Sequence, residues 1–276
     1  MKQRERTLFG HCILWGVLML GMGCATLEQE GLLTRLNLLS TSEEVQLGER
    51  FAAEVEKQET VHPDEALQAY VREVGARLAR VAPRQDVRYS FTVIDAPDTV
   101  NAFALPGGHT YYYTGLMKLC ENEAELAAVM AHEIGHVAAR HHGEMMTRQL
   151  GMELVSDIIL GERPGTAATV VSQLFSTGIA ARFSRAQERE ADQLGMDMLY
   201  RAGYRPEAMI TFMQKLLEYD RQRGGGRALP IFATHPAPEE RVQLLQSLLQ
   251  RYPPETRQQQ ELGTERYQSQ VLQKLR

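Results

Sequence analysis

The run His132-Glu133-Ile134-Gly135-His136 lies in a stretch whose apolar positions, Leu126, Val129, Met130 and Val137 among them, recur at helical spacing. On a helix, residues four apart sit about 40° apart around the axis and about 6 Å along it, so both imidazoles leave one face and can share a cation. Glu133 lies beside them, placed to reach a water on that cation rather than the cation itself. This pattern constrains the fold. A catalytic zinc takes three protein ligands and leaves its fourth position for water, so a third donor must return to this helix from elsewhere in the chain.

The segment Ser184-Arg185-Ala186-Gln187-Glu188-Arg189-Glu190-Ala191-Asp192 supplies candidates on a second predicted helix, from about 185 to 202. Glu188 can be the third ligand. Asp192, one turn on and on the same face, can accept a hydrogen bond from the distal nitrogen of a ligating histidine and fix its tautomer. Glu190 competes for the ligand role, but it lies about 200° around the helix from Glu188 and has no acid four residues on. The spacing favours Glu188.

The rest of the pattern predicts an α+β chain, mainly helical with a small sheet. Thr41 to Glu44 reads as a capping box opening a helix through about 58, and Pro63-Asp64-Glu65 opens another to about 81. Residues 87–95, 100–104 and 109–113 read as short strands around Pro106-Gly107-Gly108, and from Glu121 onward the chain is helical, first through His142. Gly224-Gly225-Gly226 marks a break before a last amphipathic helix, about 239–251. A net charge of −5 gives no basic field, so nucleic acid is not an expected partner.

The first 23 residues stand apart: Lys2, Arg4 and Arg6 precede an apolar run from Leu8 to Leu20, then Gly21 and Gly23. This is the pattern of a secretory signal peptide, and its apolar run of about 13 residues is short of the roughly 20 that span a bilayer. Cys24 follows where a lipoprotein signal places the acylated cysteine, although Leu20 is one position earlier than usual. Lipidation at Cys24 and ordinary cleavage to a soluble product are therefore both open, and Ala25 would favour sorting to the outer membrane. The expected organisation is a signal at 1–23, a lipid-anchored tether at 24–40, a metallopeptidase domain at 41–252 and a polar tail at 253–276. Cys120 is expected to be a buried small hydrophobe, with a bridge to Cys24 as the alternative.

These residues in this order resemble the gluzincin metallopeptidases of peptidase family 48, which include HtpX-like heat-shock proteases, CAAX prenyl proteases and periplasmic lipoprotein members. The resemblance covers about 90–250 and includes Asn101 to Gly108, Ala138 to His142, and Thr234-His235-Pro236. It implies a zincin-like domain with one zinc ion on His132, His136 and Glu188, and Glu133 as the base. It also implies that Asn101, Ala102, Phe103 and Ala104 form an edge strand along which an extended protein or peptide substrate lies. An ordinary strand and turn is the simpler reading of that run.

His235 has three readings: stabiliser of the transition-state oxyanion, a loop histidine held by Pro236, or a fourth ligand that closes the metal in a resting state. Arg241 is read as an assistant to it or a surface pair, and His141 and His142 as solvated or capping groups at a helix end. The expected function is a zinc endopeptidase of the bacterial envelope acting on misfolded or stalled proteins, at the periplasmic face of the outer membrane or free in the periplasm. A chaperone or scaffold lipoprotein that keeps a zinc site is the alternative. Substrate identity and oligomeric state are not encoded in any motif.

Overall fold

The computed structural model describes residues 37–163, 165–177, 182–223, 229–236 and 238–275. The signal segment, Cys24 with most of its tether, and the glycine break at 224–226 lie outside the described residues.

Helix α1 (Thr41–Gln58) is capped by Ser40, whose hydroxyl accepts from the Glu43 amide while Glu43 bonds back to Ser40. The box thus sits one residue earlier than the sequence pattern suggested. Glu44 turns into the interior, where it pairs with Arg84 at 2.7 Å and Arg140 at 3.0 Å. Helix α2 (Glu65–Ala79) is capped by Asp64, which accepts from two first-turn amides.

Three strands follow: β1 (Ser90–Ile94), β2 (Ala102–Ala104) and β3 (His109–Tyr113). Their order is β1-β3-β2, with β1 parallel and β2 antiparallel to β3. Successive strand side chains point to opposite faces, and the tyrosine run uses this alternation to build two cores. Tyr112, with Phe91 and Val93, joins a core of α2 and the later helices, whereas Tyr111 and Tyr113 join Phe51 and Val55 of α1 in another.

A short α3 (Thr114–Leu119) leads to α4 (Glu123–Ala138), in which every residue through Val137 is buried. Its alanines let neighbours approach from all sides, as expected of an apolar helix at the centre of a domain. The expected single helix through His142 is interrupted. Arg140 adopts a left-handed conformation, φ 60°, and its guanidinium is held by Glu44 and the Leu39 carbonyl, so a new helix, α5 (His141–Leu160), starts in another direction. Then come α6 (Thr166–Thr177), α7 (Arg185–Arg201), α8 (Glu207–Gln222), α9 (Pro230–Thr234) and α10 (Pro238–Leu249). The α+β class, mainly helical around a small sheet, is as expected. Among the described residues no helix is long and apolar enough to cross a membrane. Cys120 is a buried free thiol.

The segment expected as a polar tail is packed into the domain. Past α11 (Pro254–Arg257) it folds into α12 (Thr264–Tyr267), and Tyr267 and Val271 are fully buried. The Tyr267 hydroxyl donates to the Met117 carbonyl at 2.7 Å. Arg266 approaches the buried carboxylate of Glu123, which also accepts from Tyr70 and Tyr204, each at 2.7 Å. Glutamine-rich composition concealed this because the few apolar residues, Tyr267, Val271 and Leu275, recur at helical spacing in a polar background. Tyr267→Ala is expected to lower the unfolding free energy by about 3–5 kcal/mol. A shift of the urea midpoint measures it, and a loss below about 1 kcal/mol would mean that the segment does not anchor the first turn of α4.

Candidate metal centre

Asn122 caps α4 by accepting from the Glu125 amide at 3.0 Å, and its helix carries His132, Glu133 and His136 at their helical spacing. Ser184 caps α7 with a full box to Gln187, which places Glu188 in the first turn and Asp192 one turn later. The two helices touch where side chains are smallest. A methyl on Gly135 would meet the Ala191 carbonyl oxygen at 2.9 Å, and one on Gly195 would come within 3.1 Å of the His132 nitrogen, so any larger residue would force the helices apart. His235 follows directly on α9, its amide bonded to the Ile231 carbonyl, and the neighbouring Thr234 carbonyl accepts from Phe183 just ahead of α7.

These elements bring four donors together: one ligand atom each from His132, His136, Glu188 and His235 lies within 4.8 Å of all the others, and all four residues are buried. The Nε2 atoms of His132 and His136 are 3.1 Å apart, and His235 Nδ1 is 3.2 Å from His132 Nε2 and 3.0 Å from Glu188 Oε1. Glu188 Oε1 is 3.4 Å from His136 Nε2. Ligands bonded to a tetrahedral zinc at 2.0–2.1 Å are themselves about 3.3 Å apart, so these separations are those of a tetrahedron's edges. The donor set fits zinc.

Charge points the same way. Burial opposes ionisation of Glu188, but the Arg241 and His235 charges overcome it and hold the carboxyl well below the usual range; Asp192 is lowered against its burial chiefly by Arg241. Burial and Arg241 depress His132, yet the hydrogen bonds it donates to Asp192 and Glu188 outweigh them and raise it to about 9, whereas burial keeps His136 well below its ordinary value. A divalent cation at this centre would add positive charge beside the buried carboxylates of Glu188 and Asp192. Glu133 is buried too, and its Oε2 has no hydrogen-bond partner among the described residues. A carboxylate with a spare acceptor beside a metal site fits a base that takes a proton from water.

Asp192 lies where the spacing put it, with Oδ1 3.0 Å from His132 Nδ1. Glu190 is on the exposed side of α7, away from the donor cluster. Arg241 is no surface pair. It is buried, with Nη1 2.6 Å from Glu188 and Nη2 2.6 Å from Asp192. Nor are His141 and His142 solvated: both are buried at the start of α5, His141 against His136 and His142 on the Ala104 backbone, with burial pushing His142 down to about 3. Phe183, which the sequence did not single out, stacks on His136 with ring centroids 3.9 Å apart. Two histidines just past the zinc-motif helix and a lone arginine six residues past His235 carry no periodic signal, so only the fold reveals these contacts.

Asn101 and the strand Ala102, Phe103 and Ala104 lie beside the cluster. The Asn101 carbonyl and Leu105 amide bond to β3, which by strand alternation turns the main-chain groups of Ala102 and Ala104 the other way. A cavity lined by Asn101, Phe103, Ala104, Met145 and Phe183 opens beside Glu133 and His235.

The family model for peptidase family M48 matches residues 65–249. The chain is 33% identical over 215 residues to the beta-barrel assembly-enhancing protease of Escherichia coli (strain K12), an alignment covering 74% of this chain and 43% of that protein. The protein of the same name from Yersinia pestis is 30% identical over 250 residues, covering 83% and 51%. The mitochondrial metalloendopeptidase OMA1 of Schizosaccharomyces pombe is 32% identical over 181 residues, covering 65% and 52%. The chain thus spans about half the length of the curated relatives it matches.

Arg241→Leu leaves two buried carboxylates without their counter-charge, a loss on the order of 3–5 kcal/mol. Denaturation of the metal-free protein is expected to show this, with part of the loss recovered on adding zinc. Unchanged stability would mean that Glu188 and Asp192 are compensated elsewhere.

Proposed function

Because the chain belongs to peptidase family M48, we propose that it is a zinc-dependent endopeptidase of a bacterial cell envelope, cutting peptide bonds of misfolded or stalled envelope proteins. The observation that carries this reading is the convergence of His132, His136 and Glu188 beside a buried Glu133 with an unpartnered oxygen. The envelope setting rests on the signal-like first 23 residues and on relatives whose name refers to beta-barrel assembly. A lipid on Cys24 would hold the domain at the periplasmic face of the outer membrane; a soluble periplasmic form is the alternative.

Bound to His132, His136 and Glu188, zinc supplies Lewis acidity and lowers the pKa of water toward 7. Glu133, with its unpartnered oxygen, would take a proton from water and deliver it to the leaving amine. Asp192 holds the His132 ring by its Nδ1 proton, and Arg241 keeps Glu188 ionised. An extended substrate would add along Ala102 to Ala104 by main-chain hydrogen bonds, sharing or displacing the His142 contact at Ala104, and place an apolar side chain in the cavity beside Glu133.

The position of Nδ1 in the donor set supports His235 as the fourth ligand of a resting state, more than as an oxyanion donor. Held there, His235 would occupy the position that a water would otherwise take. Its Nε2, 3.5 Å from Glu133 Oε1, keeps the ring next to the reacting groups.

Purified protein is expected to hold about one zinc per chain and to cleave casein in a chelator-sensitive way, with Glu133→Gln retaining metal while losing about 10²–10⁴-fold in rate. Metal binding without cleavage by any variant would move the scaffold reading ahead. His235→Ala is expected to raise casein cleavage and weaken zinc retention; a fall in cleavage at unchanged zinc content would assign His235 to the transition state instead.

A further inference from the structure

The Nε2 atom of His136 is the one that faces the other donors, 3.1 Å from His132 Nε2 and 3.4 Å from Glu188 Oε1. If that atom ligates, Nδ1 carries the ring proton and needs an acceptor. For His132 the acceptor is the Asp192 carboxylate at 3.0 Å. Among the described residues no acid occupies the matching position behind His136. Its Nδ1 meets the Nδ1 of His141 at 3.0 Å, inside the interior, with the two residues 0% and 1% exposed.

Two ring nitrogens at that distance share one proton, so a donating His136 makes His141 Nδ1 the acceptor and leaves the His141 proton on Nε2. That Nε2 lies 3.6 Å from Glu190 Oε2. The separation is too long for a hydrogen bond, but a carboxylate there still favours the tautomer with the N–H on its side. Phe183 fixes the plane of the His136 ring from one face and cannot choose between its nitrogens.

The arrangement depends on the interruption at Arg140. Five positions along an unbroken helix would carry His141 about 140° around the axis from His136. With Arg140 left-handed, α5 departs in a new direction and its first residue folds back onto the ligand.

We propose that His141 is a positioning residue for His136, holding its ring and its Nδ1 proton as Asp192 does for His132. The inference rests on the metal reading above. Replacing Asp192's partner role by a neutral ring gives the two ligating histidines unequal support: one backed by a buried carboxylate, the other by an imidazole whose own partner is at the surface.

Two variants of the full chain test it by zinc affinity, measured in competition with a chromophoric chelator. His141→Asn keeps an acceptor oxygen near the place of Nδ1; His141→Leu keeps volume without an acceptor. His141→Asn is expected to bind zinc within about threefold of wild type, and His141→Leu about 10–100-fold more weakly, while the metal-free thermal midpoints of both variants stay alike. Wild-type affinity in His141→Leu overturns the proposal, and so does an equal loss in both variants, which would make His141 a packing residue. A wild-type protein that takes up no zinc overturns the metal reading itself, an outcome that does not involve residue 141.

Discussion

At the crossing of α4 and α7 there is no room for a side chain, and everything at the site follows from that close approach. Gly135 faces the Ala191 backbone and Gly195 faces the backbone before His132, so each helix contributes one glycine to the contact. Both glycines are embedded in the ligand sequences themselves, Gly135 just before His136 and Gly195 three residues past Asp192. Donors borne on short side chains such as histidine and glutamate can converge on one ion only if their backbones are brought this near. The packing of the two helices and the assembly of the donor set are one event.

Once the helices are that close, charge becomes the difficulty. Glu133, Glu188 and Asp192 are all buried within one turn or so of each other, and Arg241 is the fixed cation among them. Its guanidinium reaches Glu188 through Nη1 and Asp192 through Nη2, separate donors of one rigid planar fork. Glu133 is not bridged by it and keeps an oxygen unpaired. The electrostatics therefore divide the three acids by role: two are pinned and one remains able to accept a proton.

Local pattern made much of this readable. The histidine pair, Glu188 and Asp192 were legible because a helix converts sequence spacing into direction. The strands were legible because Val, Phe and Tyr alternate between faces. What stayed hidden depends on contacts across long separations. Ser40 and Thr41 are both competent caps, and Glu44 was drawn from the first turn by Arg84 and Arg140. The helix through His142 breaks because Arg140 is gripped by a residue 96 positions earlier, which no window of sequence contains. Arg241 and His141 look like ordinary polar residues until the fold encloses them, and the docking of Tyr267 is invisible in a glutamine-rich background.

The anchoring of α4 also sets an order of events in time. Glu123, at its first turn, is secured by Arg266, which is synthesised 143 residues later and well after His235. His132 and His136 on α4, like Glu188 and His235 on later elements, thus precede in the chain the residue that clamps the start of α4. Until the segment around Tyr267 has docked, the first turn of α4 lacks a cation for its buried carboxylate and can fray. Residues late in the described chain thus complete the packing of the helix that carries two of the four donors.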